Sequence, residues 1–303
     1  MKDRFLGSLF GLVIGDGLGS RFEGSPPLYG INEKDILNVD KIGYTDDTVM
    51  ALCLARSIIN KKCFEPEDVA EEYLKAYLNG EIIGIGYTTR RALERYRRYR
   101  NWETSGIVDY WAAGNGVAMR IAPLALYCWN ESEDILYENV RKDAYITHRN
   151  ELAISGAFTI ALMIKYLING LDKFSAFEKT VKTLKNFGII NKLTEKLEHT
   201  YELYQSKTPS NEAYRKIGTS GFVIETVSSA IFTLLQFDHF TEGLVQIIKA
   251  GGDTDTNAAI YGAMMGALVG IEGIPSELKE KHVKKNEVIK IAEKIYELAA
   301  MKK

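Results

Sequence analysis

Two stretches of the chain carry glycine at every fourth position: Gly7, Gly11, Gly15 and Gly19 near the start, and Gly262, Gly266 and Gly270 near the end. Residues four apart share one face of an α-helix, so each stretch predicts a helix with a bare backbone stripe. Glycine inside a helix costs about 1 kcal/mol relative to alanine. That cost is tolerated repeatedly on one face where another backbone comes too close for a side chain, which places both helices at the centre of the molecule. The stripes explain packing and carry no chemistry. Each adjoins a loop rich in acids and hydroxyls.

Apolar residues elsewhere recur at spacings of three and four, as in Ala51, Leu52, Ala55, Ile58 and Ile59, or Ala153, Ala157, Ile160, Ala161 and Ile164. Period-two runs are scarce, and the six prolines fall mostly in evident loops such as Ser25-Pro26-Pro27. The expected fold class is all-α. A length of 303 residues with 46% hydrophobic content fills a substantial core. No linker, low-complexity tract or long repeat divides the chain, so one compact helical domain over 1–303 is expected, with the charged stretches 173–216 and 277–303 at its periphery.

Lys plus Arg number 38 against 40 Asp plus Glu, and a net charge of -2 gives no general attraction to nucleic acid or to an anionic membrane. Cys53, Cys63 and Cys128 are set far apart and read as buried free thiols rather than a disulfide framework or thiolate site. The apolar runs 222–237 and 258–270 are too short to cross a bilayer, and no export signal opens the chain. A cytoplasmic monomer is the expectation. Arg90 to Arg100 alternates basic and aromatic residues; it reads as a solvated helix face, with contact to a bulky acceptor as the other reading and no nucleic-acid partner expected.

Thr45-Asp46-Asp47-Thr48 directly precedes the periodic segment Val49 to Ile59, which puts it at a helix N-terminus where free N–H groups favour carboxylates. Capping alone needs one acceptor, whereas two acids stand here between two hydroxyls. Gly251-Gly252-Asp253-Thr254-Asp255-Thr256 repeats the situation after a glycine turn, before a helix expected from Ala258. An extended backbone there would aim Asp253 and Asp255 to one side. If the clusters converge, at least four carboxylates share a small volume, and repulsion raises their pKa values unless a cation sits between them. The candidate ligands are all oxygens, which selects Mg²⁺ or Mn²⁺, with Ca²⁺ next, over zinc or copper. His148, His199, His239 and His282 are scattered and form no ligand pair. Six or more oxygens suit two octahedral ions completed by water. Glu23 is a further ligand, a general base, or a surface residue beside the Ser25-Pro26-Pro27 turn. Gly114-Asn115-Gly116-Val117-Ala118-Met119-Arg120 is either a plain turn or a glycine loop whose amides cradle a phosphate.

Taken in order, these strings together with Thr147-His148 and Ser220-Gly221-Phe222-Val223-Ile224-Glu225-Thr226 resemble the ADP-ribosylglycohydrolase family over residues 5–270. The resemblance implies an all-helical, orthogonally packed fold. It implies a binuclear magnesium or manganese site on Thr45, Asp46, Asp47, Asp253, Asp255 and Thr256, with Glu23 and Asp255 as the catalytic acids. It implies contacts to ADP-ribose from Asn115, Gly116, Val117, Met119, His148, Gly221 and Phe222. The sequence departs from the family at Gly17 and Ser20, where alanine is common, and at Val117, where a smaller residue often stands. The implied activity is metal-dependent hydrolysis of the bond between ADP-ribose and a protein side chain or small molecule. The rival readings are a non-catalytic ADP-ribose-binding or structural protein of the same fold, and a magnesium-dependent phosphoester hydrolase.

Overall fold

The computed structural model describes residues 1–302. Among the described residues it holds seventeen α-helices, three short 3-10 turns and no strand. Pairing outside the helices is confined to isolated bridges, Ile42 with His282, Ile107 with His148 and Gly114 with Phe222. The all-α class read from the periodicity is what forms.

At the centre the helix Lys2–Gly19 runs antiparallel to the helix Thr254–Val269. Gly7 faces Gly266, Gly11 faces Gly262, Gly15 faces Ala258 and Gly19 faces Thr254, and a Cβ on any of these first-helix glycines would overlap the opposite carbonyl. Steps of four on both sides lock the register. Its consequence is local: Asp16, one residue past Gly15, comes beside Asp255, one residue past Thr254. The last glycine of the second stripe has another task, since Gly270 ends its helix with φ 72° beside Asp3.

The helix Glu151–Ile168 packs against this pair and is buried on every face from 153 to 168, as core helices are. Its 18 residues, with a mean hydropathy of 1.6, are long and apolar enough to cross a bilayer, and they exceed the two apolar runs singled out in the sequence. With 89% of it buried inside the protein, this helix is a core element.

Two sequence expectations change. The helix Lys285–Ala300, placed at the periphery by its lysines and glutamates, buries Val288, Ile291, Ala292, Ile295 and Ala299 against Lys2–Gly19, Asp46–Lys61 and Ala122–Tyr127. Only its outer face is charged. Cys53 and Cys128 are buried as expected, but Cys63 is exposed. The Arg90–Arg100 stretch forms the helix Tyr87–Tyr99, which buries Thr89, Ala92, Leu93 and Tyr96 and turns its arginines to solvent.

Candidate metal centre and ligand cleft

The first acid cluster opens the helix Asp46–Lys61, with Thr45 as its N-cap. A helix start leaves backbone N–H groups without partners, and the N-cap side chain commonly accepts one. Thr45 does not. The fully buried Asp16 reaches across from the first helix instead. It accepts from the backbone N–H of Thr45 at 2.9 Å and of Thr48 at 3.1 Å, from the Thr45 hydroxyl at 2.6 Å, and from the Thr48 hydroxyl. A third acid therefore does the capping that would otherwise account for Asp46 and Asp47.

The second cluster is aimed by its glycines. Gly251 and Gly252 take φ 74° and 80°, a left-handed backbone that side chains resist, and the Asp253 N–H then donates to the Thr219 carbonyl at 2.9 Å. The helix begins at Thr254 rather than at Ala258, so Asp253 is its N-cap residue and Asp255 lies in its first turn; the pair is not extended. The Thr254 hydroxyl donates to the Gly19 carbonyl at 2.8 Å and closes the end of the glycine seam.

The clusters do converge. One carboxylate oxygen each from Asp16, Asp47 and Asp255 lies within 4.8 Å of the other two, and all three residues are buried. Asp47 Oδ2 has the Thr45 hydroxyl at 3.2 Å and the Thr256 hydroxyl at 3.5 Å, whereas its Oδ1 is buried with no hydrogen-bond partner. Burial, then the charge of Asp16, pushes Asp46 up to about 7. Burial, then hydrogen bonding to and repulsion from Asp253, pushes Asp255 up to about 9. Asp47 stands well above the ordinary range through burial and the charges of Asp16 and Asp255. Asp16 is raised by burial against its four opposing hydrogen bonds. Carboxylates so crowded must take up protons or share a cation. The orphaned Asp47 Oδ1 and an all-oxygen donor set fit a hard divalent ion, and no imidazole or thiol joins the three acids.

Beside the acids lies the loop that opens at Gly114. Gly114 bridges Phe222, the Asn115 N–H donates to the Gly221 carbonyl at 3.1 Å, and the Val223 N–H donates to the Ala113 carbonyl at 3.0 Å. Asn115 Nδ2 donates to Thr226 Oγ1 at 2.9 Å and to Asp253 Oδ2 at 2.8 Å, which ties the glycine loop to the acid cluster. Phe222 is 39% exposed and Gly221 lies next to the Asp253 carboxylate. The His148 ring lies against Gly116, where a Cβ would stand 2.8 Å from its Cε1. Glu23 follows the 3-10 turn Ser20–Phe22 at the exposed rim; partial desolvation of its carboxyl, then the charges of Asp253 and Asp16, raise it. Two further residues of the expected ligand loop are buried within the apolar core, Val117 at 0% and Met119 at 4% exposure.

Asp16 is the residue that sequence reasoning left without a role. Its signal is an acid set one place past a packing glycine in an otherwise apolar helix, a position that burial forces to find partners.

A family model described as ADP-ribosylglycohydrolase matches residues 1–303. The chain is 28% identical over 314 residues to an ADP-ribosylarginine hydrolase of Pseudomonas putida, covering 98% of this chain and 79% of that protein. It is 30% identical over 285 residues to the ADP-ribosyl-[dinitrogen reductase] glycohydrolase of Rhodospirillum rubrum, covering 91% and 89%. A solved structure titled ADP-ribosylglycohydrolase-related protein complex superposes with a TM-score of 0.81 at 30% identity and 98% coverage of both chains. With this match along its whole length, the chain belongs to the ADP-ribosylglycohydrolase family.

Proposed function

We propose that this chain is a divalent-cation-dependent hydrolase that cleaves the glycosidic bond between ADP-ribose and an acceptor. The observation that carries the reading is the convergence of Asp16, Asp47 and Asp255 with a buried, unpartnered oxygen on Asp47. Thr45, Asp46, Asp47, Asp253, Asp255 and Thr256 would hold two Mg²⁺ or Mn²⁺ ions, with Asp16 fixing the loop that presents the first three. Such ions would supply Lewis acidity and offset part of the negative charge around them.

The chain's own residues account for the other tasks. Asn115 and the backbone of Gly116 hold the ADP-ribose against the acids, with Gly221 and Phe222 forming the facing wall and His148 the floor. Val117 and Met119 support that loop from the core. Cleavage at the anomeric carbon passes through an oxocarbenium-like state, which the surrounding negative charge stabilises. Glu23, at the rim with a raised pKa, handles the proton moving between water and leaving group, and Asp255 shares that duty from inside the cluster. Partners are ADP-ribosylated proteins or small ADP-ribosides. ADP-ribosylarginine is the first substrate to test, because it names a relative matched along 98% of this chain.

The test is release of free ADP-ribose from ADP-ribosylarginine by the wild type, Asp46→Ala and Asp255→Ala. Both variants should lose cation-dependent turnover while keeping their helical circular dichroism. Full activity in either variant, or release of AMP or phosphate instead of ADP-ribose, would overturn the reading.

A further inference from the structure

The Gly114–Arg120 loop ends in an arginine with 0% exposure that the cation site leaves without a task. A buried guanidinium must satisfy its N–H groups within the protein. Arg120 Nε donates to Asp143 Oδ2 at 3.0 Å, Nη1 to the Gly116 carbonyl at 3.0 Å, and Nη2 to the Asp143 carbonyl at 3.1 Å and to Thr147 Oγ1 at 2.9 Å. Tyr73 lies under the guanidinium at 4.7 Å and donates its hydroxyl to Asp143 Oδ1 at 2.9 Å. One side chain thus grips the Gly116 carbonyl in the cleft loop and the far end of the helix Glu133–Thr147.

The chain of bonds continues. Thr147 Oγ1 lies 2.9 Å from His148 Nδ1. Because a guanidinium only donates, the Thr147 oxygen accepts from Arg120, and its own proton still needs an acceptor. Among the described residues the only other partner of that hydroxyl is His148 Nδ1. A ring nitrogen that accepts carries no proton. Burial, then the charge of Arg120, pushes the His148 ring down to about 3, so it is neutral at pH 7 and its one proton sits on Nε2. That nitrogen lies against the glycines of the loop: a Cβ on Gly116 would lie 3.2 Å from it and one on Gly114 3.5 Å, the histidine as a whole is 2% exposed, and among the described residues Nε2 makes no hydrogen bond.

We infer that Arg120 and Thr147 are positioning residues that hold His148 in its Nε2–H tautomer and so present that N–H as a donor to an oxygen of the ligand in the cleft. The ligand's identity as ADP-ribose rests on the function proposed above; the tautomer does not. A Cβ at 116 would press on that ring at 2.8 Å and one at 114 would touch it at 3.5 Å, which gives the two glycines a reason beyond the turn itself.

The chain has four histidines, so histidine-selective ¹⁵N labelling with a long-range ¹H–¹⁵N correlation at about pH 7 resolves each ring, and His148→Gln assigns the signal. The expected wild-type result is a neutral ring protonated at Nε2. Thr147→Val removes the donor to Nδ1 and should move the ring to a tautomer mixture, with Kd for ADP-ribose rising about tenfold. Thr147→Ser keeps the hydroxyl and should restore both. A wild-type ring protonated at Nδ1 or charged, or a Thr147→Val protein with unchanged tautomer and affinity, overturns the inference. If the tautomer behaves as expected but ADP-ribose leaves the Nε2 signal unmoved, the substrate reading falls and the tautomer control stands.

Discussion

Asp47 has no exposed surface, and one of its oxygens is unbonded while two other carboxylates stand close by. Such a side chain opposes folding unless something positive joins it, and the proposed cation would do so. Asp47→Asn should abolish cation-dependent turnover, yet leave the metal-stripped protein at least as heat-stable as the wild type at about pH 8, because a repelling charge has gone. A metal-stripped Asp47→Asn protein that melts well below the wild type would show that the acid is structural. The pH dependence follows from the same crowding. Asp46 and Asp255 rise from an ordinary 3.8 to about 7 and about 9 in the fold. Across those intervals the folded chain binds more protons than the unfolded chain, so stability falls as pH rises. The contribution is fully present below about 4, gone for Asp46 above about 7 and gone for Asp255 above about 9. The Tm of stripped protein should therefore drop steadily from about pH 5 to about pH 9, and Mg²⁺ should flatten the curve by replacing protons; a rising Tm would contradict the crowding.

At the scale of elements, the antiparallel seam of Lys2–Gly19 and Thr254–Val269 sets where the acids meet. A Cβ on Gly11 or Gly262 has no room except by parting the two backbones. Gly11→Ala should cost about 3 kcal/mol and weaken cation binding as Asp16 and Asp255 separate. Gly30→Ala, with nothing within 4 Å of the added Cβ, is the matched control and should change neither. Differential scanning calorimetry with Mn²⁺ titration reads both effects; equal behaviour of the two variants would sink the seam's role. The seam was legible because steps of four leave a mark on the sequence itself. The trans-cap by Asp16 was not, since it depends on a contact between residues 29 apart in the chain. The second acid helix starts earlier than its sequence predicts for a related reason: Thr254 and Asp255 are weak helix formers, held in the first turn by the Gly19 carbonyl and by neighbours that spacing does not reveal.

For the whole molecule, the expected all-α class holds because hydrophobic periodicity is a property of each helix alone. What composition hid is which helices are central. Lys285–Ala300 wears its charge on one face, and Glu151–Ile168 could be assigned to core or membrane only once its neighbours were known. The acid clusters are legible in the sequence and converge through Asp47 and Asp255, whereas the burial of Val117 among core residues is something the motif does not encode. If the folded chain alone binds the cations, as proposed, its stability depends on their concentration. At a cation concentration about a hundred times Kd the fold gains about 2.7 kcal/mol, so stripped protein should melt lower and recover on addition of Mg²⁺ or Mn²⁺ but not of Na⁺ at equal ionic strength. The most direct measurement follows ADP-ribose release from ADP-ribosylarginine by chelator-stripped protein, before and after stepwise addition of Mn²⁺. Activity should be at background when stripped and saturate as two ions bind per chain; full turnover in the continued presence of chelator would contradict the account.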